Sequence, residues 1–346
     1  MKPLVYLQNG FWEKLSEDLS REGIRSMIEV SDAIEDSVVI TDASEETILR
    51  DKFLMVLIKQ KKYQRCDENY ISKQIDALKT TNNTENLCAT YLLDKNTSAC
   101  DDIEKKFGVI VLNVSNINNR RFIFKGDGFS LDKKIRYGSR YLTFKEKLSH
   151  PCNSMIIIDP YLLIDRETDT ESGNVKYPGI ENNLESLLDA MLPFQLSVDF
   201  HLTIISCLKE KDEIKKVYEK VKKCLRRIRR DLHVKLNLVY TSTGYSRRVE
   251  SFHSRHVLSN TFAIDSEDGL DLFSSDGHLT KNNPSVSVVF PRMFGDNRQD
   301  MTKYYNWIAS VKKYLNEFPQ FVYGNYDEGN NRLFDLVEYH DNTLNK

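Results

Sequence analysis

Met155-Ile156-Ile157-Ile158-Asp159-Pro160-Tyr161 is the stretch on which the fold turns. Four apolar residues in a row, three of them β-branched, read as a strand buried on both faces, the pattern of a parallel sheet covered by helices. The strand stops at Asp159 because the residue before a proline is pushed out of helical geometry, and proline itself has no N–H for a ladder. Forward of it lie a polar loop over 165–179 and a helix over 182–191. A strand at 201–207, a long helix over 211–230 and a strand at 233–240 follow. Beyond that the segments shorten: 252–264, 270–273 and 285–291 read as short strands. Tyr304, Trp307, Ile308 and Val311 then mark the apolar stripe of a helix over 301–315.

The same alternation appears on the N-terminal side. Pro3 to Leu7 and Val38-Val39-Ile40 read as strands, with a helix between them carrying Phe11, Trp12, Leu15 and Leu19. Asp42 is placed to cap the next helix, with Glu45 completing a capping box, and that helix runs through Ile48, Phe53, Leu57 and Ile58 to about Lys62. After a polar loop at 80–86, strands at 89–93 and 109–112 enclose a helix near 101–107. Strands alternating with helices predict a mainly parallel sheet. The division expected is an α/β domain over 1–115, a polar and basic connection over 116–150, a second α/β domain over 151–320 and a C-terminal tail over 321–346.

Composition agrees with two ordinary folded domains. The 346 residues exceed the roughly 250–300 at which a single core stops growing. With 40% hydrophobic and 29% charged residues the chain is outside the disordered class. The 49 basic and 51 acidic residues nearly cancel, so affinity for a polyanion has to come from a local patch. No apolar run approaches the roughly 18 residues of a membrane span, and MKPLVYLQNG has no signal-peptide h-region, so a cytoplasmic location is expected. Six cysteines stand singly without zinc spacing, and no GxGxxG or Walker pattern occurs; no cofactor and no metal is expected.

The sharpest local signal is Phe252-His253-Ser254-Arg255-His256-Val257-Leu258-Ser259-Asn260. Alternate residues of a strand share a face, so His253 and Arg255 point together and His256 points away. Imidazole beside guanidinium suits a phosphodiester: histidine attacks phosphorus or transfers a proton, and the guanidinium offers paired donors to the non-bridging oxygens. The spacing is a variant of H-x-K-x4-D, with Arg255 for lysine and Asn260 for aspartate.

In this order of pieces the C-terminal half resembles the phospholipase-D-like domain at the C terminus of MIT-domain-containing cytokinesis proteins. The residues that carry the resemblance are Asp159-Pro160-Tyr161, His253-Ser254-Arg255, Asn260, Ile264 and Gly269-Leu270-Asp271-Leu272-Phe273. Where the family has a tryptophan this chain has Phe262, and where it has a basic residue before the glycine this chain has Asp268. The resemblance implies a phospholipase-D-like fold with His253, Arg255 and Asn260 as catalytic residues and Asp159, Tyr161 and Asp271 in a phosphate pocket. Phospholipase-D chemistry needs two histidines and this chain offers one motif, which implies a homodimer sharing one site. Two readings stay open: an active site, or a surviving structural or ligand-binding pair.

The long helix carries Lys215, Lys216, Lys220, Lys222, Lys223, Arg226, Arg227, Arg229 and Arg230 around a stripe of Val217, Val221, Leu225 and Ile228. It reads either as a solvated face or as the contact for nucleic acid, the partner expected first, or for anionic lipid; Lys222, Lys223, Arg226, Arg227, Arg229 and Arg230 are its contact candidates. Arg120, Arg121, Lys125, Lys133, Lys134, Arg136 and Arg140 form a looser basic stretch. In the N-terminal half Asn9, Asp42 and Asp94 fall at strand ends with Asp101 and Asp102 nearby, read as caps and turns or, alternatively, as a PIN-like Mg²⁺ site.

Overall fold

The structure, a computed structural model, describes residues 4–35, 37–55, 63–80, 84–117, 129–130, 151–164, 167–168, 175–208, 210–241, 252, 255–274, 278–280, 286–289, 298–324 and 331–337. It is mixed α/β and divides into two units. The first comprises 1–127 with 290–303 and 335–346, and the second 128–289 with 304–334.

In the first unit, β1 (Leu4–Leu7), β2 (Val38–Thr41), β3 (Tyr63–Arg65), β4 (Thr90–Leu92) and β5 (Ile110–Leu112) form a five-stranded sheet in the order β3-β2-β1-β4-β5. Every pairing in it is parallel. Helices α1 (Asn9–Glu17), α2 (Arg21–Glu35), α3 (Glu45–Arg50), α4 (Tyr70–Ala77), α5 (Thr84–Leu87) and α6 (Thr97–Phe107) connect the strands. A core of Val5, Leu7, Phe11, Trp12, Leu15, Val39, Ile48, Leu92 and Leu112 sits between sheet and helices. Helix α6 has both ends fixed by sequence: the Asn96 side chain accepts from Ala99 N–H, and Gly108, at φ 62°, supplies the left-handed terminator.

The helix read from 45 to 62 is shorter. Ser44, not Asp42, caps it by accepting from Thr47 N–H at 3.0 Å, and α3 ends at Arg50. Asp51 is the reason. Its Oδ1 accepts from Phe53 N–H at 2.8 Å and Leu54 N–H at 3.2 Å, which starts a new turn, while its Oδ2 takes the Trp12 indole N–H at 2.7 Å. Residues 56–62 lie outside those described.

The second unit holds a mixed eight-stranded sheet made of β6 (Phe129–Ser130), β7 (Ser154–Ile158), β10 (Phe200–Ser206), β11 (Val234–Tyr240), β12 (Arg255–Ser259), β13 (Ala263–Ser266), β14 (Val286–Val289) and β15 (Val322–Gly324). A separate hairpin pairs β8 (Glu167–Thr168) with β9 (Val175–Lys176). The order is β15-β11-β10-β7-β12-β13-β14-β6, with β7, β10 and β11 parallel and the rest antiparallel to their neighbours. All five residues of β7 are buried, as its apolar run predicts. A π-helical turn, Gly179–Leu184, leads into α7 (Glu185–Met191); α8 is Ile214–Ile228 and α9 is Arg298–Glu317. Within this unit Tyr304, Ile308 and Val311 of α9 are buried, so the stripe read from the sequence is core.

Residues past 320, expected as a tail, complete this sheet. β15 adds an antiparallel edge to β11, and Asn331 and Arg332 strap the far ends of β7 and β10. Asn331 Nδ2 donates to Met155 O at 2.8 Å, and Arg332 donates to Asn153 O at 3.1 Å and Asp199 O at 2.9 Å. Both are almost fully buried, so polar residues here serve the core.

Trp12 is 1% exposed, so its indole has no route to water if Asp51 is lost. Asp51→Ala removes a cap and orphans that donor, and is expected to lower unfolding free energy by about 2–3 kcal/mol in urea denaturation. Trp12→Phe in the Asp51→Ala background should recover part of that loss; strictly additive costs would sink the pairing.

Candidate functional site

The register of the second sheet builds the site. His256 pairs with Ile158, so Arg255 at the start of β12 comes level with Asp159 just past the end of β7. Arg255 also pairs with Ser266 at the end of β13. Two sequence-distant segments, 159–161 and 255, thereby meet at one end of the sheet, and the turn 267–271 closes over them.

Asp159 is fully buried and anchors this corner. Its Oδ1 accepts from Tyr161 N–H at 2.8 Å, reaching over Pro160, and its Oδ2 accepts from Leu270 N–H at 2.6 Å. The backbone between Ser266 and Asp271 adapts to that grip. Ser266 Oγ donates to Gly269 O at 2.6 Å, and Gly269 takes φ 97°. A side chain at Gly269 would sit 2.5 Å from Asp271 Oδ1 and 3.5 Å from Asp159 Oδ2, so the positive φ favours glycine and any side chain there would also displace the Asp271 carboxylate. Burial, then the neighbouring Asp271 carboxylate, push Asp159 up to about 6; the N–H groups of Leu270 and Tyr161 and the charge of Arg255 pull the other way.

Arg255 is half-buried. One terminal nitrogen donates to Glu267 O at 2.8 Å, and the guanidinium lies 5.3 Å from the Tyr161 ring centroid. Its Nε is buried with no hydrogen-bond partner among the described residues. The corner therefore presents a guanidinium held on two sides near the Asp159 carboxylate, with donor capacity left over among the described residues. Of the residues read from the sequence, Asp159, Tyr161, Arg255 and Asp271 come together here. His253 lies outside the described residues.

Asn260 does not join them. It follows the opposite end of β12 from Arg255, is 1% exposed, accepts from Asn153 N–H at 2.9 Å and donates its own N–H to Ser154 O. Its amide fixes the entry to β7, which corrects the catalytic role read from spacing. His256 faces away from Arg255, as the alternation requires: it is 1% exposed and stacks on Trp307 at 3.7 Å between centroids. Asn183 was not read from the sequence. It clamps the segment after the turn, donating to Phe273 O at 2.8 Å and accepting from Phe273 N–H at 2.9 Å. No local pattern announces such a pair, because the partners are 90 residues apart.

On α8, Val217, Val221 and Leu225 are buried together with Tyr218 and Cys224. Lys215, Lys216, Lys223, Arg226, Arg227 and Arg230 are exposed. Lys222 is half-buried over the Tyr218 ring at 5.7 Å, and Arg227 makes a bidentate pair with Glu185. Arg229 is the correction. Its side chain is 4% exposed and binds Asp189 Oδ1 at 2.5 Å, Leu192 O and Pro193 O at 3.1 Å each, and Asp189 O, with the Phe194 ring 4.8 Å away. It closes the carbonyl end of α7 and offers nothing to a ligand. The basic stretch from Arg120 to Arg140 lies outside the described residues.

In the first unit the strand-end polar residues engage one another. Asn9 N–H donates to Asp42 Oδ1 at 2.5 Å, Asn9 Nδ2 to Glu13 at 2.7 Å, and Lys14 pairs with Asp94 at 2.5 Å. Burial first, with Glu68 and Glu13 adding, raises Asp42 above its ordinary value against the pull of the Asn9 N–H. Among the described residues no group of three or more His, Cys, Asp or Glu is arranged to hold a metal ion. All six cysteines are free, and burial pushes Cys66 and Cys100 up to about 11 and Cys152 and Cys224 up to about 12, so these four are thiols at neutral pH.

Two outcomes follow. Arg229→Ala leaves buried carbonyls and Asp189 without their cation and should cost about 3 kcal/mol of stability, whereas Arg226→Ala should change the melting temperature by under about 1 °C. Equal effects would return Arg229 to the surface. For Asp159, the folded-state value near 6 lies above the unfolded value of 3.8, so its ionisation opposes folding. That opposition is absent at low pH, grows through the window from about 4 to 6 and is complete above it, at a size on the order of 2–3 kcal/mol. Asp159→Asn cannot ionise, so its deficit against the wild-type protein should shrink by that amount between pH 4 and pH 7 in urea titrations.

No known family model and no curated protein matches this chain.

Proposed function

We propose that this protein binds phosphodiester groups through its second unit, with Arg255 as the anion contact and nucleic acid as the ligand class. The observation that carries this is the Arg255 Nε, a buried charged donor without a hydrogen-bond partner among the described residues, on a guanidinium that Glu267 O and Tyr161 already hold in place. An unsatisfied buried donor costs about 1–3 kcal/mol, which an oxyanion would relieve. The resemblance to phospholipase-D-like domains points to the same ligand chemistry. It is supported by β7 and β12 being neighbours, which brings the Asp-Pro-Tyr segment level with the arginine of His-x-Arg. The exposed cations Lys223, Arg226 and Arg230 on and just after α8 add a sequence-independent phosphate contact.

Cleavage is a second reading, and the His-x-Arg pairing favours it. His253 would attack phosphorus, the leaving oxygen would take a proton from the His253 of a second copy, and water would then release the phosphohistidine. Arg255 would neutralise the charge gained in the transition state without a metal ion.

Fluorescence anisotropy with single-stranded DNA, RNA and phosphoinositide vesicles at one ionic strength tests the binding reading. Arg255→Ala should weaken nucleic-acid binding by about 10–100-fold. Lys223→Glu, Arg226→Glu and Arg230→Glu together should weaken it and flatten its salt dependence. Binding to vesicles alone would turn the reading to a lipid adaptor, and unchanged affinity in Arg255→Ala would remove this site. Turnover in EDTA that His253→Ala abolishes would establish cleavage; no turnover leaves a binding module.

A further inference from the structure

Phe194 puts a phenyl ring into water on a backbone that is tied down. The residue is 72% exposed, and it is the one exposed large apolar side chain among the described residues of the second unit. The two carbonyls that precede it, Leu192 O and Pro193 O, each accept from Arg229 Nε at 3.1 Å. The same buried guanidinium lies 4.8 Å from the ring centroid. We propose that Phe194 is a stacking platform for an unpaired base, so that the nucleic acid this protein takes is single-stranded. This rests on the nucleic-acid reading above and adds to it the class of strand and the residue that selects it.

The ring is prepared for this role. A phenyl group that only covered Arg229 would be buried against it, yet most of Phe194 reaches water. Because the loop backbone is fixed, a base that stacks on the ring has little chain freedom to freeze out. The surroundings supply the charge. Arg226 lies one turn before Arg229 on α8, Lys223 one turn before that, and Arg230 follows; all three are exposed. Asp189 is answered by Arg229 and Arg227 by Glu185, which leaves Asp231 as the exposed acid among residues 222–231. Topology joins the ring to the Arg255 corner. Asp159 N–H donates to Ile205 O and Cys207 N–H to Pro160 O, so β10 ends at the corner's end of the sheet, and α8 starts from there. β10 and β11 are parallel, so α8 runs back to the opposite end, where Phe200 N–H meets His233 O and the loop with Phe194 enters β10. The 15 residues of α8 span about 22 Å, with Lys215 and Lys216 exposed at one end and the three cations above toward the other. Phosphates fit that row, and an unpaired base has a free face for the ring. In a duplex the neighbouring bases already cover those faces. Stacking tolerates any base, so little sequence preference is expected. A bilayer surface would need more apolar area than one ring.

Fluorescence anisotropy on the full chain tests this with a labelled oligothymidine of about 15 nucleotides and a duplex of equal length, at one ionic strength. The oligothymidine should bind more tightly than the duplex. Phe194→Ala, checked for an unchanged circular dichroism spectrum, should weaken oligothymidine binding about tenfold and leave the duplex unchanged. Phe194→Tyr should keep the affinity, and Phe194→Leu, apolar but without a π face, should behave like the alanine variant. In Phe194→Trp the emission added over the wild-type protein should fall when oligothymidine is titrated in, as an indole stacked on a base is quenched. Oligothymidine binding that Arg255→Ala weakens but that the Ala and Leu variants leave unchanged would overturn the stacking proposal and leave the nucleic-acid reading standing. No binding of either probe would sink both, and vesicle binding lost in Phe194→Ala would then assign the ring to a membrane surface.

Discussion

The candidate site depends on one buried carboxylate. Asp159 carries the last hydrogen bonds of β7 into the turn that follows β13, gripping Tyr161 N–H on its own segment and Leu270 N–H from more than a hundred residues away. Because the group is fully buried, each of those donors would otherwise be unsatisfied, so the turn is held to the strand end by a penalty on both sides. Gly269, with its positive φ, is the conformational counterpart of that grip. Remove the carboxylate and the far side of the 267–271 turn loses its tie to β7, leaving the β12–β13 pairing of Arg255 with Ser266, the Ser266–Gly269 bond and the Arg255 bond to Glu267 O to hold it.

That dependence explains what the sequence could and could not show. The apolar run 155–158 and the Asp-Pro that ends it were readable because strand burial and the proline effect are local. The pairing of β7 with β12 was not, since register is a property of two segments and the chain between them is long. Alternation on one strand was enough to separate Arg255 from His256. It could not place Asn260, which the spacing grouped with Arg255 and the strand length sends to the other end of the sheet. In the first unit the parallel alternation was legible, but the break at Arg50 was not. It rests on Asp51 meeting Trp12, 39 residues away, and helical periodicity carries no trace of that contact.

The basic helix makes the same point in electrostatic terms. Composition counts Arg226, Arg227, Arg229 and Arg230 alike, yet their surroundings differ in kind. Arg226 and Arg230 reach water, Arg227 closes on Glu185, and Arg229 is a buried cap for α7. A guanidinium surrounded by carbonyls and one carboxylate has its donors occupied, and its positive charge answers the negative end of a helix rather than an outside phosphate. Only the arginines with open donors add to a surface field, so the effective basic patch is smaller than the sequence suggests.

Both units place polar residues at the carboxyl ends of parallel strands, where open α/β sheets form their crevices. They use that position differently. In the first unit Lys14 engages Asp94 and Asn9 engages Asp42 and Glu13, so the strand ends are tied to each other. In the second, the carboxylate at the strand end is tied to backbone N–H groups, which leaves the nearby guanidinium without a hydrogen-bonded acid partner among the described residues. A carboxylate held by dipoles keeps its charge near the arginine without occupying its donors. The arginine is then held in place by carbonyl and ring, partly neutralised at a distance, and its Nε has no hydrogen-bond partner among the described residues. That separation of charge balance from hydrogen bonding is why the phosphodiester proposal falls on the Arg255 corner rather than on the acidic edge of the first unit.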